Sequence, residues 1–118
     1  MKLIIAGTRS FDLRADFIRE LVDIFNLKPT LIFSGGASGV DRSGEWYAEN
    51  IANRPFKIIM ADWKNHGKAA GPIRNKRMAE YADALLLIWD GESRGSKNMK
   101  EEMMKLKKPI YEVILREP

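Results

Sequence analysis

The sequence contains no cysteine, so neither a disulfide framework nor thiolate chemistry is open to it. It has a single histidine, His66, and no HExxH-like spacing, which removes the common routes to a transition-metal site. No apolar run approaches the roughly 20 residues that span a bilayer. The opening stretch MKLIIAGTRS carries only a short apolar core, Leu3 to Ala6 with Met1 nearby, too short for a secretory signal. Together these lengths predict a cytoplasmic protein without membrane contact. The patterns GxGxxG, GxxxxGK[ST] and GxSxG are also missing. The dinucleotide fingerprint, the Walker loop and the nucleophile elbow are thereby excluded.

What is present is an ordinary globular composition. The chain has 118 residues, 45% of them hydrophobic and 31% charged. That length suits one domain, residues 1–118, able to bury a core without covalent staples. The net charge of +4 is a weak hint of anionic partners. Its distribution says more: Lys64, Lys68, Arg74, Lys76 and Arg77 follow Asp62 with no other acid among them. This is either a solvated basic face or an anion-binding one.

Five short apolar runs alternate with amphipathic segments: Lys2–Ala6, Thr30–Ser34, Phe56–Met60, Ala84–Trp89 and Ile110–Leu115. Most are unbroken rather than alternating, as strands covered on both faces should be. Phe17, Ile18, Leu21, Val22 and Phe25 recur at helical spacing after a cap at Asp12. A second helix over Gly39 to Asn53 places Val40, Tyr47, Ala48 and Ile51 on one side. Pro72 suits the first turn of a third helix ending near Tyr81. A fourth, from Ser96 to Leu106, turns Met99, Met103 and Leu106 inward; Met104 also reads as core. Between Ala61 and Gly71 the spacing predicts a structureless connection, long enough to act as a lid. The alternation predicts an α/β, Rossmann-like, doubly wound parallel sheet of five strands in the order 3-2-1-4-5, with helices on both faces.

Such sheets bind ligands outside the carboxyl ends of their strands, where the direction of winding switches. Here that point lies between the first and fourth strands. The loops that meet there are rich in glycine and serine: GTRSF after the first strand, SGGASG after the second, DGESRGS after the fourth. Gly35 and Gly36 let the backbone approach a ligand, and amides at the next helix start suit a phosphate. A tight turn that needs only flexibility is the alternative. Ser38 either caps that helix or contacts an oxygen. Asp41 and Glu45, four residues apart, either complement the helix dipole or act on a ribose hydroxyl or as a general base. Arg9, Arg74 and Arg94 offer forks for phosphate oxygens, or pair with nearby acids. Asn75 can both donate and accept, as recognition of a base requires. Trp63 and Trp46 could stack on a base, or belong to a core or subunit interface.

SGGASGVDR, GPIRNKRM and ADALLLIWDGESRGSKNM together resemble the YspA-type (YAcAr) small proteins of bacteria and phages, in the SLOG superfamily. The likeness runs from IAGTRSF to the last strand. More distantly, SGGASGVD and IRNKRM are similar to segments of DNA-processing protein A (Smf). The Lonely Guy phosphoribohydrolases share the superfamily, but their PGGxGTxxE is not matched, and Met99 stands at the glutamate. The resemblance implies binding of a nucleotide or an NAD- or ADP-ribose-derived ligand, as a sensor, carrier or sequestering module, with no cofactor required. Matching positions are Gly7, Arg9, Ser34, Gly35, Gly36, Gly39 and Asp41, then Arg74, Asn75, Asp90, Gly91, Ser93, Arg94, Gly95 and Ser96. Thr8, Ser38 and Trp63 join them as ligand-binding candidates, and Asp41 and Glu45 are the catalytic ones. The alternatives are a nucleoside-phosphate hydrolase and a single-stranded DNA-binding protein. Partners are then a nucleotide-derived small molecule, less readily nucleic acid, and a second copy in a homodimer.

Overall fold

The computed structural model describes residues 1–116. Its chain order is β1 (Lys2–Gly7), α1 (Ala15–Ile24), β2 (Leu31–Ser34), α2 (Val40–Tyr47), β3 (Phe56–Ile58), α3 (Trp63–His66), α4 (Ala70–Tyr81), β4 (Ala84–Trp89), α5 (Arg94–Lys105) and β5 (Ile110–Ile114). The strands form one parallel sheet in the order β3-β2-β1-β4-β5. This is the α/β, Rossmann-like architecture and the strand order that the alternating runs predict.

The unbroken apolar strands follow from cover on both faces. Along β1, Leu3 and Ile5 join Ile18, Leu21 and Val22 of α1 and Val40 and Tyr47 of α2 in one core. Their neighbours Ile4 and Ala6 point the other way, to Met78 and Ala79 of α4 and Met99 and Met103 of α5. The same alternation splits Leu86 and Ile88 from Leu85, Leu87 and Trp89 along β4. Leu3, Ile4, Ile5 and Leu85 through Ile88 are all fully enclosed. Burying each such side chain contributes about 1.5–3 kcal/mol, so these two strands anchor the fold. Lys108 closes the far end of α4, donating from Nζ to the carbonyls of Ala79, Glu80 and Ala82 at 2.7, 3.0 and 2.8 Å. A cation there offsets the helix dipole.

Four local expectations need correction. The residue at the N-cap of α1 is Arg14, which makes no side-chain cap bond. Asp12 lies earlier, exposed in the loop, because that loop is held from outside by Ser43. The connection from Ala61 to Gly71 is not structureless. Asp62 accepts the Asn65 amide at 3.2 Å and its side-chain Nδ2 at 2.8 Å, which caps the single turn α3. A 3-10 turn, Gly67–Ala69, then leads directly into α4. Met104 is exposed because it lies off the α5 stripe of Met99 and Met103, and Leu106 because the helix has already ended, leaving it as the C-cap. Helix α2 is also shorter than its periodicity suggests, giving way to a wider π-helical turn over Ala48–Ala52.

Candidate functional site

The carboxyl ends of β1 and β4 lie side by side, with Gly7 opposite Ile88 in the register. A Cβ on Gly7 would stand 1.7 Å from the Ile88 carbonyl oxygen, so only glycine permits this approach. Thr8 follows, and its backbone oxygen accepts the amides of Phe11 and Val40 at 3.3 and 3.2 Å. Its Oγ1 accepts the Asp90 amide at 3.1 Å and lies 3.3 Å from Ser93 Oγ. One buried threonine thus ties together the chain after β1, the start of α2 and the loop after β4. Above it opens a cavity of about 390 Å³.

The loop after β2 forms one side, and most of its bonds turn inward. Ser34 Oγ accepts the Gly36 amide at 3.0 Å and donates to Glu45 Oε2 at 2.5 Å. The Ala37 amide donates to Asp41 Oδ2 at 3.3 Å, and Arg74 Nη1 donates to the Gly35 carbonyl at 2.7 Å. A Cβ on Gly35 would meet Arg74 Nη1 at 2.5 Å and Asp41 Oδ2 at 2.8 Å. Gly36 and Gly39 both take positive φ, 74° and 75°, and Gly39 packs against the backbone of Thr8 and Arg9. These glycines let the chain close on its own side chains. Ser38 does not cap α2; Gly39 holds that position, and Ser38 Oγ donates to the Arg9 carbonyl at 3.4 Å. Glu45 is turned to Ser34 and does not line the cavity.

The other side is the start of α5. Asp90 accepts the Glu92 and Ser93 amides at 2.8 and 2.9 Å, bonds that hold its carboxyl below the usual range. Gly91 makes the turn at φ 84°, exposed to solvent. Asp90 and Gly91 therefore shape the loop rather than line the cavity. Ser93 occupies the N-cap without a side-chain cap bond, so the first-turn amides of α5 take no side-chain acceptor. Apart from its chain neighbours and the backbone of α5 itself, nothing lies within 4 Å of where a Gly95 Cβ would be. Gly95 and the buried Ser96 both line the cavity.

Asn75 joins the two sides from α4. Its Nδ2 donates to the Gly95 carbonyl at 3.3 Å and to Asn98 Oδ1 at 2.9 Å, while its Oδ1 accepts Arg74 Nε at 2.9 Å. With both ends engaged, it ties Arg74 to the start of α5. Burial pushes the Asp41 carboxyl up to about 6, against the pull of the Ala37 amide and the Arg74 charge. Burial likewise lowers the Arg74 guanidinium below its usual value.

Arg9, Arg74 and Arg94 all line the cavity. Among the described residues none of them stands within 4 Å of a carboxylate oxygen, and only Arg74 acts on one at longer range, Asp41. Ala6, Ser10, Ala37, Met78 and Met99 complete the walls and are not legible as site residues in the sequence. Ala6 and the two methionines are core residues whose edges reach the cavity, and Ser10 and Ala37 are small residues between conspicuous neighbours. Gly36, Ser38 and Trp63 line a separate hollow of about 200 Å³, which shares Arg9 and Arg74 with the main one. Trp63 is 52% exposed, its ring edge over Gly71. No three histidine, aspartate or glutamate side chains among the described residues converge as metal ligands. No helix among them is long and apolar enough to cross a membrane.

No family model matches the chain, and no solved structure matches it. It is similar to the Gene 61 protein of Mycobacterium phage D29, at 29% identity over 116 residues, covering 92% of this chain and 93% of that protein.

Proposed function

We propose that the cavity binds a small phosphate-bearing molecule of the nucleotide-derived class, ADP-ribose among them, and that the protein is a sensor, carrier or sequestering module of YspA type within the SLOG superfamily. The observation that carries this reading is the pair Arg9 and Arg94, which line the cavity without carboxylate partners beside the uncapped start of α5. Helix N-termini and arginine forks each favour phosphate oxygens. Their position at the switch between β1 and β4 is where doubly wound sheets place ligands. Thermal unfolding with and without ADP-ribose tests it. Ligand at 100 times its dissociation constant adds about 2.7 kcal/mol. For a domain of this size that is a shift of roughly 10 °C. The shift should vanish in Arg94→Ala, whose exposed side chain makes no bond that the fold requires. A wild-type protein unmoved by ADP-ribose and by other nucleotides overturns the reading.

One observation favours a second reading, a nucleoside-phosphate hydrolase. Asp41 lines the cavity as a buried carboxyl that titrates near 6, the range a general base needs near neutral pH. Asp41→Asn should then keep binding and lose release of the base or sugar, followed by chromatography. Turnover that survives this substitution removes Asp41 as the base.

A further inference from the structure

A hollow of about 660 Å³, larger than the arginine-lined cavity, borders that cavity at Arg9 and Ser10. It runs between the β1–α1 loop and the outer face of α2, and its size falls within the range of small-molecule sites. Phe11 and Leu13 form one wall, and both are packed against the core beneath α1 and α2. Trp46 forms the other. It is 57% exposed and belongs to neither core, an expensive residue to leave in water. The floor is held in place from within. Ser43 Oγ accepts the Leu13 amide at 3.1 Å and donates to the Gly39 carbonyl at 3.1 Å. The loop therefore does not depend on a ligand for its shape.

This hollow and the arginine-lined cavity adjoin at Arg9 and Ser10, which line both. Resting on the reading of the cavity as a phosphate site, we infer that the Phe11–Trp46 hollow is a second subsite, which takes the aromatic heterocycle of a two-ended ligand whose phosphate or diphosphate bridge crosses Arg9. The chemistry along the path is graded to suit such a molecule. Apolar and aromatic walls meet the ring, Arg42 and Arg9 meet the near phosphate of the bridge, and the α5 amides with Arg94 meet its far phosphate, the one carried by the distal sugar. Asp12 stands in the same hollow as an acceptor for an exocyclic amine. The alternative platform, Trp63, borders only about 200 Å³.

Calorimetric titration of the full chain with ADP-ribose and with ribose 5-phosphate tests this assignment. Trp46→Ala removes an exposed side chain and leaves both cores intact. It should weaken ADP-ribose about tenfold or more, as loss of a base–aromatic stack does, and leave ribose 5-phosphate unchanged. Trp63→Ala should leave both unchanged. Equal affinity of Trp46→Ala and wild type for ADP-ribose overturns the subsite, as does a loss confined to Trp63→Ala or an equal loss for both probes. A wild-type protein that binds ribose 5-phosphate as tightly as ADP-ribose overturns the subsite but leaves the phosphate reading standing. Binding of neither overturns both.

Discussion

Two loops of nearly the same composition flank the cavity, and they do opposite things. SGGASG after β2 is closed: Gly36 donates to Ser34, Ala37 to Asp41, and the Gly35 carbonyl receives Arg74. The segment from Ser93 to Ser96 at the start of α5 is open, with no side-chain cap and clear space above Gly95. Glycine in the first loop makes room for the protein's own guanidinium and carboxylate. Glycine in the second leaves room unfilled. Composition alone marks both as candidate phosphate loops, but only a comparison of where their amides point separates them.

The sharpest way to break the comparison is to add one methyl group to each loop. In Gly39→Ala the new Cβ would lie 2.3 Å from the Arg9 carbonyl oxygen, at a residue with φ 75°. Backbone cannot yield there as a side-chain tip can, so the cost should exceed about 3 kcal/mol. Thermal melting should show a fall of roughly 10 °C or more, or no folded protein at all. A melt within a degree or two of wild type would mean that the loop is not closed as described.

A smaller effect separates the buried carboxyl of the closed loop from the rest of the molecule. Asp41 has its folded value raised from 3.8 to about 6. The folded protein therefore holds the proton more tightly than the unfolded chain. The stability this contributes is full below about 4 and is lost as pH rises through about 6. Asp62, Asp90 and Glu112 are shifted downward and act in the opposite sense, losing stability as pH falls. The difference between wild type and Asp41→Asn isolates the one group. That difference should change by about 1–3 kcal/mol between pH 4 and pH 7, in denaturant melts at each pH, with the variant gaining toward pH 7. A difference flat across that window would place Asp41 in contact with water.

The smallest effect is expected in the open loop. Gly95→Ala meets nothing within 4 Å and sits in the first turn of α5. It should raise stability by about 0.4–1 kcal/mol, since alanine has less freedom to lose. Gly95 lines the cavity, so the added methyl group should lower affinity for ADP-ribose while the melting temperature does not fall. Loss of stability in this variant would erase the distinction between the loops.

Much of this was legible beforehand, for reasons that particular residues show. Ala84–Trp89 is bounded in the structure as it is in the sequence, because an apolar run covered on both faces stands out from its polar flanks. The position of the cavity followed from strand order, since the switch between β1 and β4 needs only the succession of elements. Asn75 and Asp90 stand out in the sequence as polar residues beside glycine-rich loops, and what engages them in the fold is not visible there. Their partners, Asn98 and Gly95 for one and the next residues' own amides for the other, satisfy them internally. The sequence allows Trp46 to be core, subunit interface or stacking platform, and its place in one hollow with Phe11 depends on a loop that no periodicity describes.

The sequence by itself determined the architecture: which segments are strands, that both sheet faces are covered, and that three glycine-rich loops meet at one edge. Hydrophobic periodicity and connection length are local properties, and they carry that much. Only the tertiary structure decided which loop is open and what Asp41 is worth as an acid. The Gly35 carbonyl and Arg74 are 39 residues apart, and Asn75 reaches Gly95 across 20. A backbone amide is free or taken according to what folding brings against it, and no local pattern contains that partner.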